Sequence, residues 1–490
     1  MPSADVTPGA DPTDPHGPAG SDLAGGALVV CVDVGSTFTK ASLVDVARGC
    51  VVAAAEHPTT IATDVLDGYD ACLADLVAHE PRAATAEVLA CSSAGGGLRI
   101  AVVGNEALVT AEAGRRVALS SGGRVVAVVA VGGTGRGPEP DLETVLGHTS
   151  PPPDLVLLTG GTDGGNSEML LAATQQVVEA GWAGPVVVAG NSEAADEVSR
   201  LLGDRPHVVA DNVVPQIGVL RPEGARAAIR EVFLRHVIGG KGLSSRDEGR
   251  SFQAMVRGAT PDVVLTGVEV LAEEVGDLGD VVVVDVGGAT TDVHSVVELD
   301  PETGGLGRDV VAPTPRTRTV EGDLGMRWSA VSTVEVAGLG SLAEQAAARA
   351  SEPSYLPLTD ADHDVDEAIA RAATGLAVRR HAGRSAVVLG PGGRVVERSG
   401  VDLRKVGLVV VSGGVLRHGR AGVAARVLQG TIGAEAGRDG GWQLPEAPRV
   451  VVDSDYVLAA VGLLAERSPV AARRLARSLL EGAADLRVTT

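Results

Sequence analysis

Residues 281–297, VVVVDVGGATTDVHSVV, constrain the fold more than any other stretch of the chain. The four valines predict a strand that is buried on both faces of a sheet. Asp285 ends this run, two glycines then permit a sharp turn, and an apolar return strand follows. Such a turn offers N–H groups to phosphate oxygens, and its carboxylate can hold a hydrated Mg²⁺ ion. An ordinary glycine-rich β-hairpin is the alternative. The candidate phosphate-binding residues here are Gly287, Gly288, Thr290 and Thr291.

A second copy of this design lies near the start of the chain, in residues 28–44, LVVCVDVGSTFTKASLV. An apolar run again ends in a carboxylate, Asp33, and another apolar run again follows. Lys40 lies seven positions after Asp33, where the return strand begins. Two such hairpins predict two related half-domains, each bringing one phosphate-binding turn and one carboxylate to a shared cleft. The candidate phosphate-binding residues of this turn are Gly35, Ser36 and Thr37.

A third motif, residues 408–414 (LVVVSGG), is an apolar strand that ends in Ser412, Gly413 and Gly414. The order of hairpin, hairpin and strand–SGG resembles the actin-like ATPase superfamily, which also contains sugar kinases and DnaK-like chaperones. The resemblance implies an α/β fold with two RNase H-like half-domains, whose mixed β-sheets are flanked by helices around a nucleotide cleft. It also implies that the hairpins hold the phosphates of ATP and that the SGG turn lies against the adenosine.

The resemblance assigns catalytic roles to three residues of the hairpins. Asp33 and Asp285 are expected to face each other and to hold Mg²⁺ through water. Lys40 resembles the actin lysine that reaches the phosphates, so ATP and Mg²⁺ are the expected cofactors. In the superfamily the residue that orients the attacking water precedes the second hairpin, which makes Glu269 a candidate; Glu321 is another.

The chain has 490 residues, enough for two large domains or several subdomains. We expect a disordered tail at 1–26, a first half-domain at 27–275 and a second at 276–490. A repeated strand–loop–helix pattern predicts a βα subdomain inserted at about 151–240. Its loop at 160–166, rich in glycine, is either a binding loop or a βα turn.

Three further local patterns carry expectations. Residues 300–318 are expected to form a loop. Residues 319–325 are expected to form either a loop over the nucleotide or a turn before a helix at Arg327. The basic residues between 221 and 242 are expected to form one solvated helix face; they are Arg221, Arg226, Arg230, Arg235, His236 and Lys241. The segment Asp453-Ser454-Asp455 is predicted to cap a helix at 456–466, and the small residues of that helix would let another helix approach closely. The resemblance to actin-like ATPases implies that such a helix lies at the hinge between the domains.

Composition limits the partners and the compartment. The net charge is −22, no basic patch appears, and aromatic residues make up 2% of the chain. These features argue against nucleic-acid and anionic-membrane partners. The four cysteines form no C-x-x-C pair, which is typical of reduced structural residues in a cytoplasmic protein. No apolar run approaches the ~20 residues of a membrane span, and the N-terminus lacks the features of a signal peptide.

Several longer blocks narrow the resemblance to the MutL/GlmL family, over roughly residues 29–464. The blocks are VDVGSTFTKASLVDV, ACSSAGGGLR, LLTGGTDGGN, NVVPQIGVLRPEGARAAI, VVVDVGGATTDVHSV and RTVEGDLGMR. The long N-terminal tail departs from the family pattern. The family implies an accessory protein of adenosylcobalamin-dependent glutamate (methylaspartate) mutase. Such a protein would use ATP to open the mutase so that a damaged cofactor can exchange. The expected partners are the mutase subunits, and a homodimer is allowed.

Four other classes share part of this pattern. A small-molecule kinase would use the same hairpins, but it needs a base at the substrate hydroxyl, and the sequence identifies none. Hydantoinase or oxoprolinase subunits have similar hairpins, but LLTGGTDGGN and VEGDLGMR fit them less well. An activase of a radical dehydratase needs cysteines for an iron–sulfur cluster, which the scattered cysteines do not suit. A filament-forming actin relative is compatible with the fold alone.

Overall fold

The computed structural model of the chain describes residues 27–95, 98–104, 110–121, 123–131, 142–148, 152–246, 250–298, 314–390 and 393–481. The expected tail at 1–26 therefore lies outside the described residues. The strands are β1 (Leu28–Val34), β2 (Phe38–Asp45), β3 (Cys50–Pro58), β4 (Glu87–Ser92), β5 (Leu98–Gly104), β6 (Gly123–Ala130), β7 (Leu155–Leu158), β8 (Val186–Val188), β9 (His207–Val209), β10 (Val256–Ala259), β11 (Val281–Val286), β12 (Thr291–Val296), β13 (Arg316–Glu321), β14 (Arg384–Gly390), β15 (Gly393–Ser399), β16 (Leu408–Ser412) and β17 (Arg449–Val452).

The α-helices are α1 (Val65–His79), α2 (Thr110–Ser120), α3 (Leu142–His148), α4 (Glu168–Glu179), α5 (Ala195–Leu202), α6 (Glu223–Val232), α7 (Ile238–Gly240), α8 (Arg250–Met255), α9 (Thr260–Glu274), α10 (Ala330–Val336), α11 (Ala343–Ser351), α12 (Asp360–His381), α13 (Gly414–Arg417), α14 (Val423–Leu428), α15 (Val457–Leu464) and α16 (Pro469–Glu481). Within the described ranges, no helix is both long enough and apolar enough to serve as a membrane span.

Two of the sheets have the same topology. One has the order β3-β2-β1-β4-β10 and the other the order β13-β12-β11-β16-β17. In each, the first three strands of the order are antiparallel neighbours and the last two add in parallel. This duplication of an RNase H-like sheet is the actin-like ATPase fold, and it confirms the fold class predicted from the two hairpins.

The central strands follow the apolar pattern of the sequence. All seven residues of β1 and all five of β16 are buried, as a strand covered on both faces requires. Of the loop expected at 300–318, residues 300–313 lie outside the described residues. The loop prediction was wrong for residues 316–321, which form the edge strand β13. Its sequence, RTRTVE, is polar, but Arg318 is buried and ion-paired, so hydrophobic alternation could not reveal the strand.

The third five-stranded sheet is entirely parallel and has the order β6-β5-β7-β8-β9. It starts at Leu98, so it includes two strands that precede the predicted insert at about 151–240. Numbered from its own first strand the order is 2-1-3-4-5, the flavodoxin-like arrangement of doubly wound sheets.

Helices α9 and α15 pack against each other between the two duplicated sheets. One apolar cluster contains residues of both helices together with Val29 of β1 and Val283 of β11. A Cβ at Gly462 would overlap the carbonyl oxygen of Val263, and one at Gly267 would overlap that of Leu458. The helices therefore touch backbone to backbone, which confirms the close approach predicted from the small residues of α15.

The first prediction concerns this helix contact. Gly462→Ala should lower the free energy of unfolding by about 1–3 kcal/mol, because the added methyl group forces the backbones apart. Urea unfolding followed by circular dichroism measures the change. Gly147→Ala is the matched control, since a Cβ at this exposed position of α3 meets nothing within 4 Å. Equal stability of the two variants would contradict the close packing.

Candidate functional site

A cavity of about 900 Å³ lies between the two duplicated sheets. This size is within the usual range for a site that binds a small molecule or cofactor. The predicted residues that line it are Asp33, Gly35, Ser36, Thr37, Lys40, Asp285, Gly287, Gly288, Thr290, Gly413 and Gly414. Thr291 and Ser412 are buried beside it without lining it.

The two turns have the same internal geometry. The Gly35 N–H donates to the Phe38 carbonyl at 3.1 Å, and the Gly287 N–H donates to the Thr290 carbonyl at 2.9 Å. A Cβ at Gly288 would overlap the Thr37 hydroxyl. The turns of the two half-domains therefore contact each other through Gly288 and Thr37 at the edge of the cavity, and a glycine at position 288 leaves room for this contact.

Asp33 is almost fully buried and is held from three sides. One carboxylate oxygen accepts a hydrogen bond from the Thr260 hydroxyl at 2.5 Å and contacts the Cys91 thiol at 3.6 Å. The other oxygen lies 3.6 Å from the Lys40 ammonium. Thr260 is the first residue of α9, so the carboxylate of the first turn is hydrogen-bonded directly to this helix.

Asp285 is half-buried and faces several other carboxylates. Burial raises its pKa to about 6, with Asp292, Asp33 and Asp453 raising the pKa further and Lys40 opposing the shift. This concentration of negative charge favours a bound cation beside Asp285.

The strand registers reveal a residue that the sequence prediction missed. Asp33 is the cross-strand partner of Lys40, and Asp285 is the cross-strand partner of Asp292. Asp292 lines the cavity, and its pKa is raised by burial and lowered again by its ion pair with Arg318, 3.2 Å away. The equal offset of seven residues from each turn aspartate was the signal that could have found it.

Tyr456 is a second such residue. It is the one non-glycine residue with positive φ (55°) among the residues that the structure describes. Its hydroxyl lies 3.4 Å from Asp285, and its ring lies under the Lys40 ammonium at 3.9 Å and near the Arg417 guanidinium at 5.5 Å. The Asp453 carboxylate accepts hydrogen bonds from the N–H groups of Val457 and Leu458, which confirms the predicted cap of α15. These hydrogen bonds join residues on either side of Tyr456 and help to fix it in the cavity wall.

Three hydroxyl oxygens around the cavity are buried without a hydrogen-bond partner. They belong to Thr37, Thr291 and Ser412, one from each predicted motif. Unpaired buried polar atoms are uncommon in folded proteins. Thr37 lies in the first turn, Thr291 begins β12 after the second turn, and Ser412 ends β16. These positions fit a polar ligand that would complete their hydrogen bonds.

The two glutamates that were candidates for orienting water are both engaged in ion pairs. Glu269 is 3.5 Å from both Arg226 and Arg316, and Glu321 is 2.6 Å from Arg380. Neither glutamate lines the cavity. Arg226 and Arg230 of α6 also pair with the buried Asp262 of α9. The expectation of a solvated arginine face was therefore wrong for these positions.

The duplicated sheets, with one turn from each on a common cavity, define a protein of the actin-like ATPase fold. The chain belongs to the MutL family: the family model described as MutL protein matches residues 29–480. It is 35% identical to Protein MutL of Clostridium tetanomorphum over 468 residues, which cover 92% of this chain and 98% of that protein.

Solved structures give weaker likenesses. Nucleotide-free acetone carboxylase is 14% identical with a TM-score of 0.40, over 90% of this chain and 70% of that one. ATP-dependent caprolactamase from Pseudomonas jessenii is 14% identical with a TM-score of 0.36, over 89% and 70%. Glycerol dehydratase reactivase is 12% identical with a TM-score of 0.32, over 89% and 99%. Likenesses this weak carry no conclusion about activity.

The return strand of the second turn is supported from behind by a buried histidine. His381, at the end of α12, lies 2.8 Å from the Ser295 hydroxyl and 3.1 Å from the Thr319 hydroxyl. Burial lowers the pKa of His381 to about 4. Burial also lowers the pKa of the neighbouring His294 well below its usual range. The folded chain therefore keeps these rings neutral at pH values where the unfolded chain protonates them.

The second prediction follows from this difference. Between pH ~6.5 and ~4 the unfolded state binds the His381 proton and the folded state does not, so the free energy of unfolding falls as the pH is lowered. His381 alone should account for about 2 kcal/mol of the loss between about pH 7 and pH 5. Urea unfolding at both pH values should show a smaller loss for His381→Gln, and an unchanged loss for the exposed control His79→Gln. The same pH dependence in His381→Gln and the wild type would contradict this account.

Proposed function

We propose that this protein is a Mg²⁺-dependent ATPase that reactivates an adenosylcobalamin-dependent mutase, with glutamate mutase as the client. The observation that carries the proposal is the convergence of two related turns, each with its own aspartate, on one cavity of about 900 Å³. Membership of the MutL family supports the assignment of the client. The proposed location is the cytoplasm, where adenosylcobalamin mutases would be met.

The residues of the cavity suit a nucleotide and its metal ion. Both turns offer backbone N–H groups and hydroxyls. The hydroxyls of Thr37, Thr291 and Ser412 have no hydrogen-bond partner within the described chain, so they are free to bond the nucleotide. Gly413 has φ 113°, and a Cβ at this position would overlap the Val286 carbonyl. Glycine therefore permits the tight SGG turn, whose backbone would contact the adenosine. Asp33 and Asp285 would hold Mg²⁺ through water, and the ion would neutralise charge on the phosphate oxygens.

The chain itself supplies the rest of the electrostatics. Lys40 brings a positive charge to the first turn, where cation–π contact with Tyr456 and attraction to Asp33 position it. Asp292 occupies the equivalent position of the second turn, and the charge of Arg318 offsets its negative charge. Asp292 therefore repels phosphate less than an unpaired carboxylate would. Asp292, the cross-strand partner of Asp285 on the lining, can orient a water molecule or accept its proton.

Nucleotide state can reach a client through contacts that cross the cleft. Glu56 of β3 pairs with Arg417 and His418 of the SGG segment at 3.1 and 3.3 Å. Arg318 donates to the Leu119 carbonyl of α2 at 3.0 Å, which connects the second turn to the parallel sheet. Two half-domains joined in this way form a two-state element that ATP and ADP can bias differently. A mutase that binds one state more tightly would be pulled open in each cycle.

The third prediction tests the site. Asp33→Asn and Asp285→Asn should each lower the rate of ATP hydrolysis by about 10²-fold or more, because the metal loses a carboxylate that holds it at the transition state. Phosphate release measured at saturating Mg²⁺ and ATP gives the rates. Asp277→Asn, at an exposed position outside the cavity, is the matched control. Full activity in both variants, with unchanged circular dichroism, would mean that the aspartates only shape the turns.

The fourth prediction tests the client. Glutamate mutase inactivated with hydroxocobalamin should regain activity when this protein, ATP, Mg²⁺ and fresh adenosylcobalamin are added. A non-hydrolysable ATP analogue, or Asp285→Asn in place of the wild type, should give no recovery. Absence of recovery with active wild-type ATPase would reject the client. Transfer of radiolabelled γ-phosphate to a small metabolite would instead identify a kinase.

A further inference from the structure

A second cavity, of about 480 Å³, lies in the parallel sheet at the carboxyl ends of β7, β8 and β9. Ligands of doubly wound α/β sheets bind outside the carboxyl ends of the strands. None of the residues that line this cavity lines the larger one between the half-domains. The wall includes Asp163 of the 160–166 loop, for which the sequence allows either a binding loop or a βα turn.

The loop is held in place by two buried asparagines. Asn191 donates to the Gly165 carbonyl at 3.1 Å, and Asn212 donates to the Gly161 carbonyl at 3.0 Å. The side chains of both asparagines are satisfied within the protein, because each oxygen also accepts a backbone N–H. The loop is thus a built structure, and its shape does not depend on a ligand.

The Asp163 carboxylate is held through one of its two oxygens, and the other oxygen accepts no hydrogen bond from the described residues. Its Oδ1 accepts hydrogen bonds from the Asn212 amide at 3.0 Å and from the N–H and hydroxyl of Ser192 at 3.1 and 3.0 Å. Its Oδ2 receives no donor from any residue that the structure describes. One half of the carboxylate is therefore structural, and the other half is available to a ligand.

Arg221 carries the opposite charge on the same cavity. Its backbone N–H donates to the Val213 carbonyl at 2.9 Å, which fixes where the side chain starts. Its guanidinium forms no hydrogen bond or ion pair within the described part of the chain, Asp163 included. The cavity thus presents an anion, Asp163, and a cation, Arg221, that form no ion pair with each other. Apolar side chains complete the wall: Val188, Ala195, Val209 and Pro215.

The charges on the lining restrict the class of ligand. Three carboxylates, Asp163, Asp211 and Glu223, share the lining with one cation, Arg221, and all four residues are exposed at the mouth of the cavity. Excess negative charge disfavours phosphates and nucleotides. It favours a molecule with an ammonium group for the carboxylates and one carboxylate for the guanidinium, whose planar fork suits bidentate recognition.

We propose that this cavity binds a free α-amino acid with a small apolar side chain. The ammonium group lies toward Asp163 Oδ2 and Asp211, the carboxylate lies on Arg221, and the side chain contacts Val188 and Val209. The proposal does not depend on ATP hydrolysis, because it rests on residues of the parallel sheet alone.

Thermal unfolding and calorimetric titration of the full chain test the proposal. Alanine, valine and leucine at millimolar concentrations are the probes, and isobutylamine and isobutyrate are the comparison compounds with one charge each. At least one of the amino acids should raise the melting temperature, and neither single-charge compound should do so, since each leaves one charge of the site without a partner.

Two variants locate the site. Asp163→Asn keeps the oxygen that holds the loop and removes the charge, and Arg221→Met removes the guanidinium. Each should weaken binding by about tenfold or more. Asp204→Asn and Arg200→Met, exposed positions of the same sheet unit that do not line the cavity, should bind as the wild type does. ATP binding in the larger cleft should be unchanged in all four.

Two outcomes overturn the proposal. One is the absence of any stabilisation or heat with the three amino acids when the chain is folded by circular dichroism. The other is binding that survives both Asp163→Asn and Arg221→Met, which would place the amino acid elsewhere.

Discussion

The structure depends on bringing buried carboxylates from two separate sheets to one cavity. Asp33 and Asp285 end equivalent strands, and carboxylates this close repel each other at low dielectric. The fold compensates with Lys40 beside Asp33 and Arg318 beside Asp292, at matched positions of the two hairpins. Burial, together with the remaining excess of negative charge, raises the pKa of Asp285 to about 6, and a cation bound beside it would favour the charged carboxylate.

The same compensation ties the cavity to the rest of the molecule. Asp33 is bonded to the first residue of α9, and Asp285 contacts Tyr456 just before α15. These are the two helices whose backbones touch between the sheets. The carboxylates of the turns are therefore in contact with the N-terminal ends of both helices of this pair. Arg318 extends the connection to the parallel sheet through its hydrogen bond to the Leu119 carbonyl of α2.

Much of the fold could be predicted because strong local patterns coincide with it. The valine runs of β1, β11 and β16 are fully buried strands, and the glycines between them are turns. Polar side chains that are buried through specific partners could not be predicted in this way. The strand β13 was mispredicted as a loop because its polar Arg318 is buried through an ion pair with Asp292. Arg226 was mispredicted as solvated because it pairs with the buried Asp262. Tyr456 and Thr260 enter the cavity only through tertiary packing, which no sequence period encodes.

The central claim is that the two turns form a single nucleotide site. Hydrogen exchange of the backbone amides, followed by mass spectrometry with and without Mg-ATP, tests it most directly. The account predicts that ATP protects the amides of residues 35–37 and 287–290 together, at the same nucleotide concentration. Protection of one turn alone, or of neither, would contradict it.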